Sequence, residues 1–390
     1  MSQINVRNLS NENEDGAPDI VGVSTFSATS YIVPPVGTTG QRPLNPQPGD
    51  LRFNTDSASL EYYRGDTLGW SHIEMTSPDL GGLGASTGSN TGTGARALFW
   101  CGKTPSNTDR IDAVTISTMG SKLDFGNFSD ERQRLACCAS NTRGIGAMGY
   151  TSTFETNIRY VTFASTGDTE SFGSVTGGAR NRAAGASNQT RGLFIGGNPT
   201  TDNITYITIA STGDSKDFGN LTVGRQGLEA MTSSTRAVVA GGWSEQSPYS
   251  PSGTYLDIVD YVTISTTGNA LDFSDTTTNA VLEGAACSNS TRGLFSGGYT
   301  PGPTRKKNID HFTLATLGSV TDFGDLIVGR SDHGAASSPT RDIFGGGTNP
   351  AVTDTIESVQ FASTGSYTSF GTLTLARTAT TACSNAHGGL

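Results

Sequence analysis

From Arg96 onward, short apolar runs alternate with polar breaks marked by glycine, and the pattern repeats over a long period. Arg191-Gly-Leu-Phe-Ile-Gly-Gly197 is an apolar run stopped by glycine. Asn203-Ile-Thr-Tyr-Ile-Thr-Ile209 alternates apolar and polar positions, the signature of a half-buried strand. Four residues before a fixed glycine stand Ile116, Phe163, Ile209, Ile264, Leu314 and Phe361. Six before it stand Val114, Val161, Ile207, Val262, Phe312 and Val359. The glycine itself (Gly120, Gly167, Gly213, Gly268, Gly318, Gly365) falls in turns such as Ser211-Thr-Gly-Asp214, where it takes a positive φ without steric cost. Five residues later comes Phe125, Phe172, Phe218, Phe273, Phe323 or Phe370, and then a small-residue stretch such as Gly284-Ala-Ala-Cys-Ser-Asn289.

Each copy opens on an arginine: Arg96, Arg143, Arg191, Arg236, Arg292 and Arg341, with spacings of 47, 48, 45, 56 and 49 residues. A period of this size means a propeller, a solenoid or an array. No helical periodicity competes, and a parallel β-helix would show shorter coils with little Gly-Gly punctuation. Four short strands per copy make one propeller blade, so the expected fold class is all-β, with a six-bladed β-propeller over residues 95–390. Continuing the phase past Phe370, Thr381-Ala-Cys-Ser-Asn385 matches Gly284–Asn289 but has no copy after it, whereas the copy at Arg96 has no such stretch before it. The C-terminal strand is therefore expected to complete the first blade beside Arg96–Cys101, removing two open edges.

The sequence of small residues, Arg-Gly-Leu-Phe-x-Gly-Gly, alternating strand, turn and aromatic resembles the kelch repeat. Cys101-Gly102 and Met148-Gly149 depart from its Gly-Gly element, and Phe stands where kelch repeats usually carry Trp. The expected architecture is thus kelch-like.

Residues 1–80 lack the repeat. Pro46–Asp56, Ser59–Gly65 and Leu68–Glu74 predict a small β-meander, with extended segments upstream at Pro18–Phe26 and Ser30–Val33. A sheet this small is marginal alone. Residues 81–94, rich in Gly, Ser and Thr, read as a flexible linker. Gly37-Thr-Thr-Gly-Gln-Arg-Pro43, Pro48-Gly-Asp-Leu-Arg-Phe-Asn-Thr-Asp56, Leu60-Glu-Tyr-Tyr-Arg-Gly65 and Gly69-Trp70 together resemble a module of tail-fibre and other virion proteins of tailed phages. Pro18–Ser27 and Tyr31–Gly37 resemble N-termini of structural proteins from marine cyanophages. The resemblance covers about residues 4–75. It implies a virion component, assembled in the host cytoplasm, whose residues 1–80 contact other virion proteins or self-associate.

Composition narrows the partners. Glycine is 51 of 390 residues and charged residues are 15%, which suits a turn-dense all-β chain. The net charge of −10 and the lack of a basic cluster beyond Arg305-Lys-Lys307 argue against nucleic acid. No apolar run reaches membrane-spanning length, and Met1-Ser-Gln-Ile-Asn5 does not begin a signal peptide.

Most candidate chemistry dissolves into the repeat. Asp124-Phe-Gly126, Asp217-Phe-Gly219 and Asp322-Phe-Gly324 spell a kinase metal-binding tripeptide, but they recur at one repeat position and read as a structural turn. The Gly-Gly pairs lack the helix and Lys-Ser/Thr of a phosphate loop. Cys138, Cys287 and Cys383 share a position with Ala186, Met231 and Ala336, so buried reduced thiols are expected. His311 stands where other copies carry Tyr160, Tyr206 and Tyr261 and reads as a strand-face residue. Arg132, Arg225, Arg330 and Arg377, each seven after a Phe, read as blade-to-blade hydrogen-bond donors. One departure is large: the fourth copy carries extra residues at Trp243–Tyr255. Long loops on a rigid scaffold tend to hold binding residues. Trp243, Tyr249 and Tyr255 are the candidate ligand or receptor contacts, stacking on a sugar or anchoring a protein; the alternative is that they pack on the blade edge.

Three functions follow: a non-enzymatic phage virion protein with an outward propeller for host attachment or decoration; a carbohydrate-binding propeller; and a kelch-like enzyme. An enzyme would break the repeat with unique polar residues in several loops. The sequence shows no such constellation, so no catalytic residue, metal ligand or cofactor is assigned.

Overall fold

The computed structural model describes residues 34–56, 59–72, 95–118, 122–245, 253–275, 280–300, 305–318, 320–365 and 367–390. The segments expected to be extended at 18–33 and the linker at 81–94 lie outside them. The chain divides into two units, Met1–Thr76 and Ser77–Leu390.

Among its described residues the first unit carries one four-stranded sheet. Its strands are β1 (Val36–Gly37), β2 (Leu51–Asn54), β3 (Ser59–Tyr63) and β4 (Trp70–His72), hydrogen-bonded in that order. β2, β3 and β4 form the expected antiparallel meander. β1 pairs parallel to β2, an edge the alternation pattern does not reveal because it is two residues long. Its interior is ionic. Glu61 is fully buried, 2.5 Å from Arg42 and 3.4 Å from Arg52, and accepts from Asn54 Nδ2 at 3.0 Å. Both guanidinium groups lie over Trp70. The Arg42 hydrogen bond holds the Glu61 carboxyl below its ordinary range against the opposing effect of burial.

The second unit is all-β and contains six four-stranded antiparallel sheets. Sheet II is β8 (Ala136–Ala139), β9 (Arg143–Ala147), β10 (Asn157–Thr162) and β11 (Glu170–Ser174); sheet III is β12 (Ala184–Ser187), β13 (Arg191–Ile195), β14 (Asn203–Thr208) and β15 (Lys216–Asn220). Sheet IV is β16 (Glu229–Thr232), β17 (Arg236–Ala240), β20 (Ile258–Thr263) and β21 (Leu271–Asp275), with a small hairpin of β18 (Trp243–Ser244) and β19 (Thr254–Tyr255) inserted. Sheet V is β22 (Ala285–Ser288), β23 (Arg292–Ser296), β24 (Asn308–Thr313) and β25 (Thr321–Asp325); sheet VI is β26 (Gly334–Ser337), β27 (Arg341–Gly345), β28 (Thr355–Gln360) and β29 (Thr368–Thr372). Sheet I joins the two ends of the unit: β30 (Thr381–Ser384) pairs with β5 (Arg96–Lys103), followed by β6 (Asn107–Thr115) and β7 (Lys122–Arg132). Thr381 sits opposite Trp100 and Ser384 opposite Ala97, the pairing that the phase of the repeat predicts.

The first strands of the sheets touch in a closed order: β8 on β12, then β16, β22, β26, β30 and back to β8. The apolar core follows this order as six separate clusters, each shared by two neighbouring sheets. Leu98, Trp100 and Phe125 of sheet I meet Val161 and Phe163 of sheet II. At the far side Phe99 and Ile116 of sheet I meet Ile343, Ile356 and Phe370 of sheet VI.

Polar residues of the repeat tie the same neighbours. Arg96, Arg143, Arg191, Arg236, Arg292 and Arg341 each donate through Nη1 to a carbonyl just past the third strand of the next sheet: Phe163, Ile209, Ile264, Leu314, Phe361 and Ile116, at 2.5–3.1 Å. The N–H groups of Gly167, Gly213, Gly268 and Gly365 donate to Phe125, Phe172, Phe218 and Phe323 of the preceding sheet at 2.8–3.0 Å. This explains the kinase-like tripeptides. The glycine after the Phe lies so close to the neighbouring turn that a Cβ at Gly126, Gly219 or Gly324 would collide with its carbonyl. Cys101 and Met148, which depart from the Gly-Gly element, take the same left-handed conformation as Gly196, with φ of 50° and 60°.

Arg132, Arg225, Arg330 and Arg377 also bridge sheets as expected. Arg132 Nη1 donates to Met148 O, Arg225 pairs with Asp260, Arg330 with Glu357 and Arg377 with Asp112. Arg180 occupies the same position but faces Thr205. Among the described residues no carboxylate pairs with it, and burial pushes its guanidinium down to about 10. All five cysteines are free and buried. His311 lies on the sheet face, against Thr321 Oγ1 and the Phe323 ring.

Candidate functional site

Of the aromatic residues singled out in the fourth copy, Trp243 and Tyr255 come together as a cross-strand pair in the β18–β19 hairpin; Tyr249 lies outside the described residues. Both are half-buried. The hairpin is pinned through the main chain, because Trp243 exchanges both backbone hydrogen bonds with Gln226. The Tyr255 ring stands edge-on to Tyr299 of sheet V at 6.0 Å, and Arg305 lies 4.8 Å over Tyr299. Tyr299 in turn exchanges backbone hydrogen bonds with Leu282, the neighbour of Glu283. The aromatic wall therefore borders the ends of the first strands.

At those ends, six equivalent residues precede the first strands: Arg134, Arg182, Gly227, Glu283, Asp332 and Ala379. All six have φ between 53° and 65°. Their main chains form a relay. The N–H of Arg134 donates to Ala379 O, that of Arg182 to Arg134 O, Gly227 to Arg182 O, Glu283 to Gly227 O and Asp332 to Glu283 O, at 2.9–3.2 Å. Gly227 is the residue this conformation favours. A side chain in the left-handed region costs about 1–2 kcal/mol, yet four of the other five positions carry charged ones. Observed strain of this kind directs attention to function.

The four charges converge. Arg134 reaches Glu283 at 2.9 Å and Asp332 at 3.0 Å, and Arg182 reaches Glu283 at 2.7 Å. Arg182 Nη1 donates to Gln226 Oε1 at 3.3 Å. Burial, then the neighbouring Asp332, pushes the Glu283 carboxyl up to about 7 despite both arginines. One step further in, burial and Glu283 push Glu229 up to about 8. The Tyr299 hydroxyl is pushed up to about 12 by burial and by Glu283. A small hollow of ≈ 40 Å³ is lined by Arg134, Arg182, Glu229, Glu283, Asp332 and His333. Among the described residues no group of three or more His, Cys, Asp or Glu is arranged to hold a metal ion.

This corrects the sequence reading in one respect. Polar residues from four copies do form a constellation, although they lie 48, 101 and 49 residues apart in the chain and match no motif. The available signal was the position two after Arg132, Arg180, Arg225, Arg330 and Arg377, whose chemistry changes from copy to copy.

The opposite ends of the first strands are closed by the chain itself. Ser187, Ser288, Ser337 and Ser384 each donate from Oγ to a carbonyl of the neighbouring first strand. The relay is interrupted where sheet II has Ala139 and sheet IV has Thr232. There His387 enters, with Nε2 3.1 Å from Ala139 O and 3.2 Å from Ser187 Oγ, and Nδ1 3.2 Å from Thr232 Oγ1. Burial pushes His387 down to about 4. The cavity left between the first strands is ≈ 50 Å³, lined mainly by Ala, Ser and Cys, which holds a few waters and no larger ligand. A larger ligand cannot enter the space between the first strands; a roomier cleft of ≈ 270 Å³ lies elsewhere, between Ile327–Arg330 and Thr353–Glu357.

No family model matches the chain, and no curated protein matches it. The site therefore has to be read from its own chemistry.

Proposed function

We propose that this chain is a non-enzymatic virion structural protein. In this reading the N-terminal residues attach it to the particle, and the six sheets are the blades of a kelch-like propeller displayed outward. The six-bladed reading is supported by the closed order of the first strands, the six shared clusters and the six Arg-to-carbonyl bonds, each returning from sheet VI to sheet I.

The observation that carries the attachment reading is the inside-out character of the N-terminal sheet. Its buried interior is Glu61, Arg52 and Asn54, and Tyr63 is the one buried hydrophobic side chain among its described residues. Val36, Leu44, Leu51 and Leu68 are exposed, Leu44 at 97%. A small unit that leaves Leu51 of its sheet and Leu44 and Leu68 of its loops exposed is built to be covered. The resemblance of residues 4–75 to phage virion modules supports a particle as the cover. The test is to change Leu44, Leu51 and Leu68 together to Ser in the full chain and measure co-sedimentation with particles lacking the protein. Loss of association with an unchanged melt of the second unit supports the proposal; undiminished association rejects it.

A second reading, glycan binding by the displayed unit, is favoured by the charged mouth beside an aromatic wall.

A further inference from the structure

The mouth brings together two chemistries. One is a set of planar polar groups, Arg134, Arg182, Glu283 and Asp332, whose formal charges cancel. The other is the wall of Tyr255 and Tyr299 with Trp243 beside it. The polar set is not saturated: among the described residues Arg134 Nη1 and Arg182 Nε have no acceptor, while their other nitrogens are engaged. Both arginine side chains keep about a quarter of their surface in solvent.

Charge and shape select the ligand. An anion would meet two carboxyls, and a cation two guanidinium groups, so a neutral ligand is favoured. It must offer hydroxyls to planar donors and acceptors, and an apolar face to an aromatic ring. A pyranose has both. The hollow is too small to enclose one, so the sugar would rest at the mouth, with hydroxyls inward and its C–H face on the Tyr255 ring. We propose that this mouth binds a single pyranose residue of a glycan, with Arg134, Arg182, Glu283 and Asp332 as the hydroxyl-binding set and Tyr255, braced edge-on by Tyr299, as the platform. The inference rests on the glycan reading above and is independent of attachment to the particle.

The repeat supplies a variant that keeps the fold. Gly227 occupies the position of Arg182 in the neighbouring copy, with the same main-chain conformation. Arg182→Gly therefore relieves backbone strain and leaves Glu283 paired with Arg134. The full chain is titrated with the methyl glycosides of glucose, galactose, mannose and N-acetylglucosamine, read by saturation-transfer NMR, alongside thermal melts. At least one sugar should bind, with Arg182→Gly and Tyr255→Ala each weakening it about tenfold and the Arg182→Gly melt unchanged or higher. No transfer from any of the four sugars overturns the inference, and so does binding that both variants retain. Sugar binding can fail while the leucine variant still loses particle association; the inference then falls and the attachment reading stands.

Discussion

In the N-terminal sheet the fully buried side chain is Glu61, braced by Arg42 and Arg52 over Trp70, while Leu44, Leu51 and Leu68 face solvent. In the six-sheet unit the fully buried side chains include Leu98, Trp100, Phe194 and Ile343, and the charges lie in seams between sheets or at one mouth. The contrast separates two ways of staying folded. Each repeat sheet finds its apolar partner in the next sheet, so the unit supplies its own burial. The N-terminal sheet spends its interior on one ionic cluster and Tyr63, and leaves Val36 and Leu51 exposed. Such a sheet gains little from burial by itself, because a buried ion pair contributes weakly to stability, although breaking one is costly.

The harshest way to break this comparison is to remove residues 378–390. The six-sheet unit then loses β30, hence a partner for β5 and the contacts of that strand with β8 and β26. Circular dichroism should show the cooperative melt of the unit abolished. A truncated chain that melts like the full one would mean the sheets do not depend on each other in a closed order.

Glu61→Gln strikes the other unit. Arg52 would keep its burial without a countercharge, a loss of about 3–5 kcal/mol. Limited proteolysis within residues 34–72 should accelerate strongly, with cleavage of the second unit unaffected. Acid should act in the same direction. The folded Glu61 carboxyl is held below its ordinary value, so its contribution is present above that value and is lost as pH falls through the folded one.

A smaller effect in the opposite direction is expected from Thr205→Asp. Arg180 is buried where Arg225, Arg330 and Arg377 meet a carboxylate, and it meets a hydroxyl instead. The substitution should stabilise the six-sheet unit by about 1–3 kcal/mol, measured as a raised denaturation midpoint. A lowered midpoint would show that the seam between sheets II and III cannot take the charge.

Two further effects are in pH. His387 is held neutral, down to about 4, so its contribution is complete above the ordinary histidine value and declines as pH falls from there towards 4. Glu229 is raised to about 8, so it works the other way: its contribution declines as pH rises from the ordinary carboxylate value towards 8. Denaturation midpoints of His387→Asn and Glu229→Gln across this range should show shallower acid-side and alkaline-side slopes respectively, the remainder coming from His333 and Glu283. Unchanged slopes would remove these residues from the account.

Much of the six-sheet unit was legible in the chain because its chemistry recurs in phase. The Phe, the fixed Gly and the opening Arg each make the same bond in copy after copy, and the strand that joins sheet I from the far end could be placed by counting on from Phe370. The site was legible only in part. The insertion in the fourth copy announced Trp243 and Tyr255, but the charged mouth is made by side chains that differ between copies, and sequence pattern reports what repeats. What joins Arg134 to Glu283 is the arrangement of the first strands. In the N-terminal sheet, β1 escaped notice because two residues carry no periodicity. The burial of Glu61 had no sequence signal, because its partners Arg42 and Arg52 come from other segments of the sheet unit.

The most direct test of this contrast is scanning calorimetry of the full chain with the Glu61→Gln and Thr205→Asp variants. Two separable transitions are predicted. Glu61→Gln should remove the lower one without moving the upper, and Thr205→Asp should raise the upper without moving the lower. A single transition displaced by both substitutions would contradict the account, because the two regions would then share one source of stability.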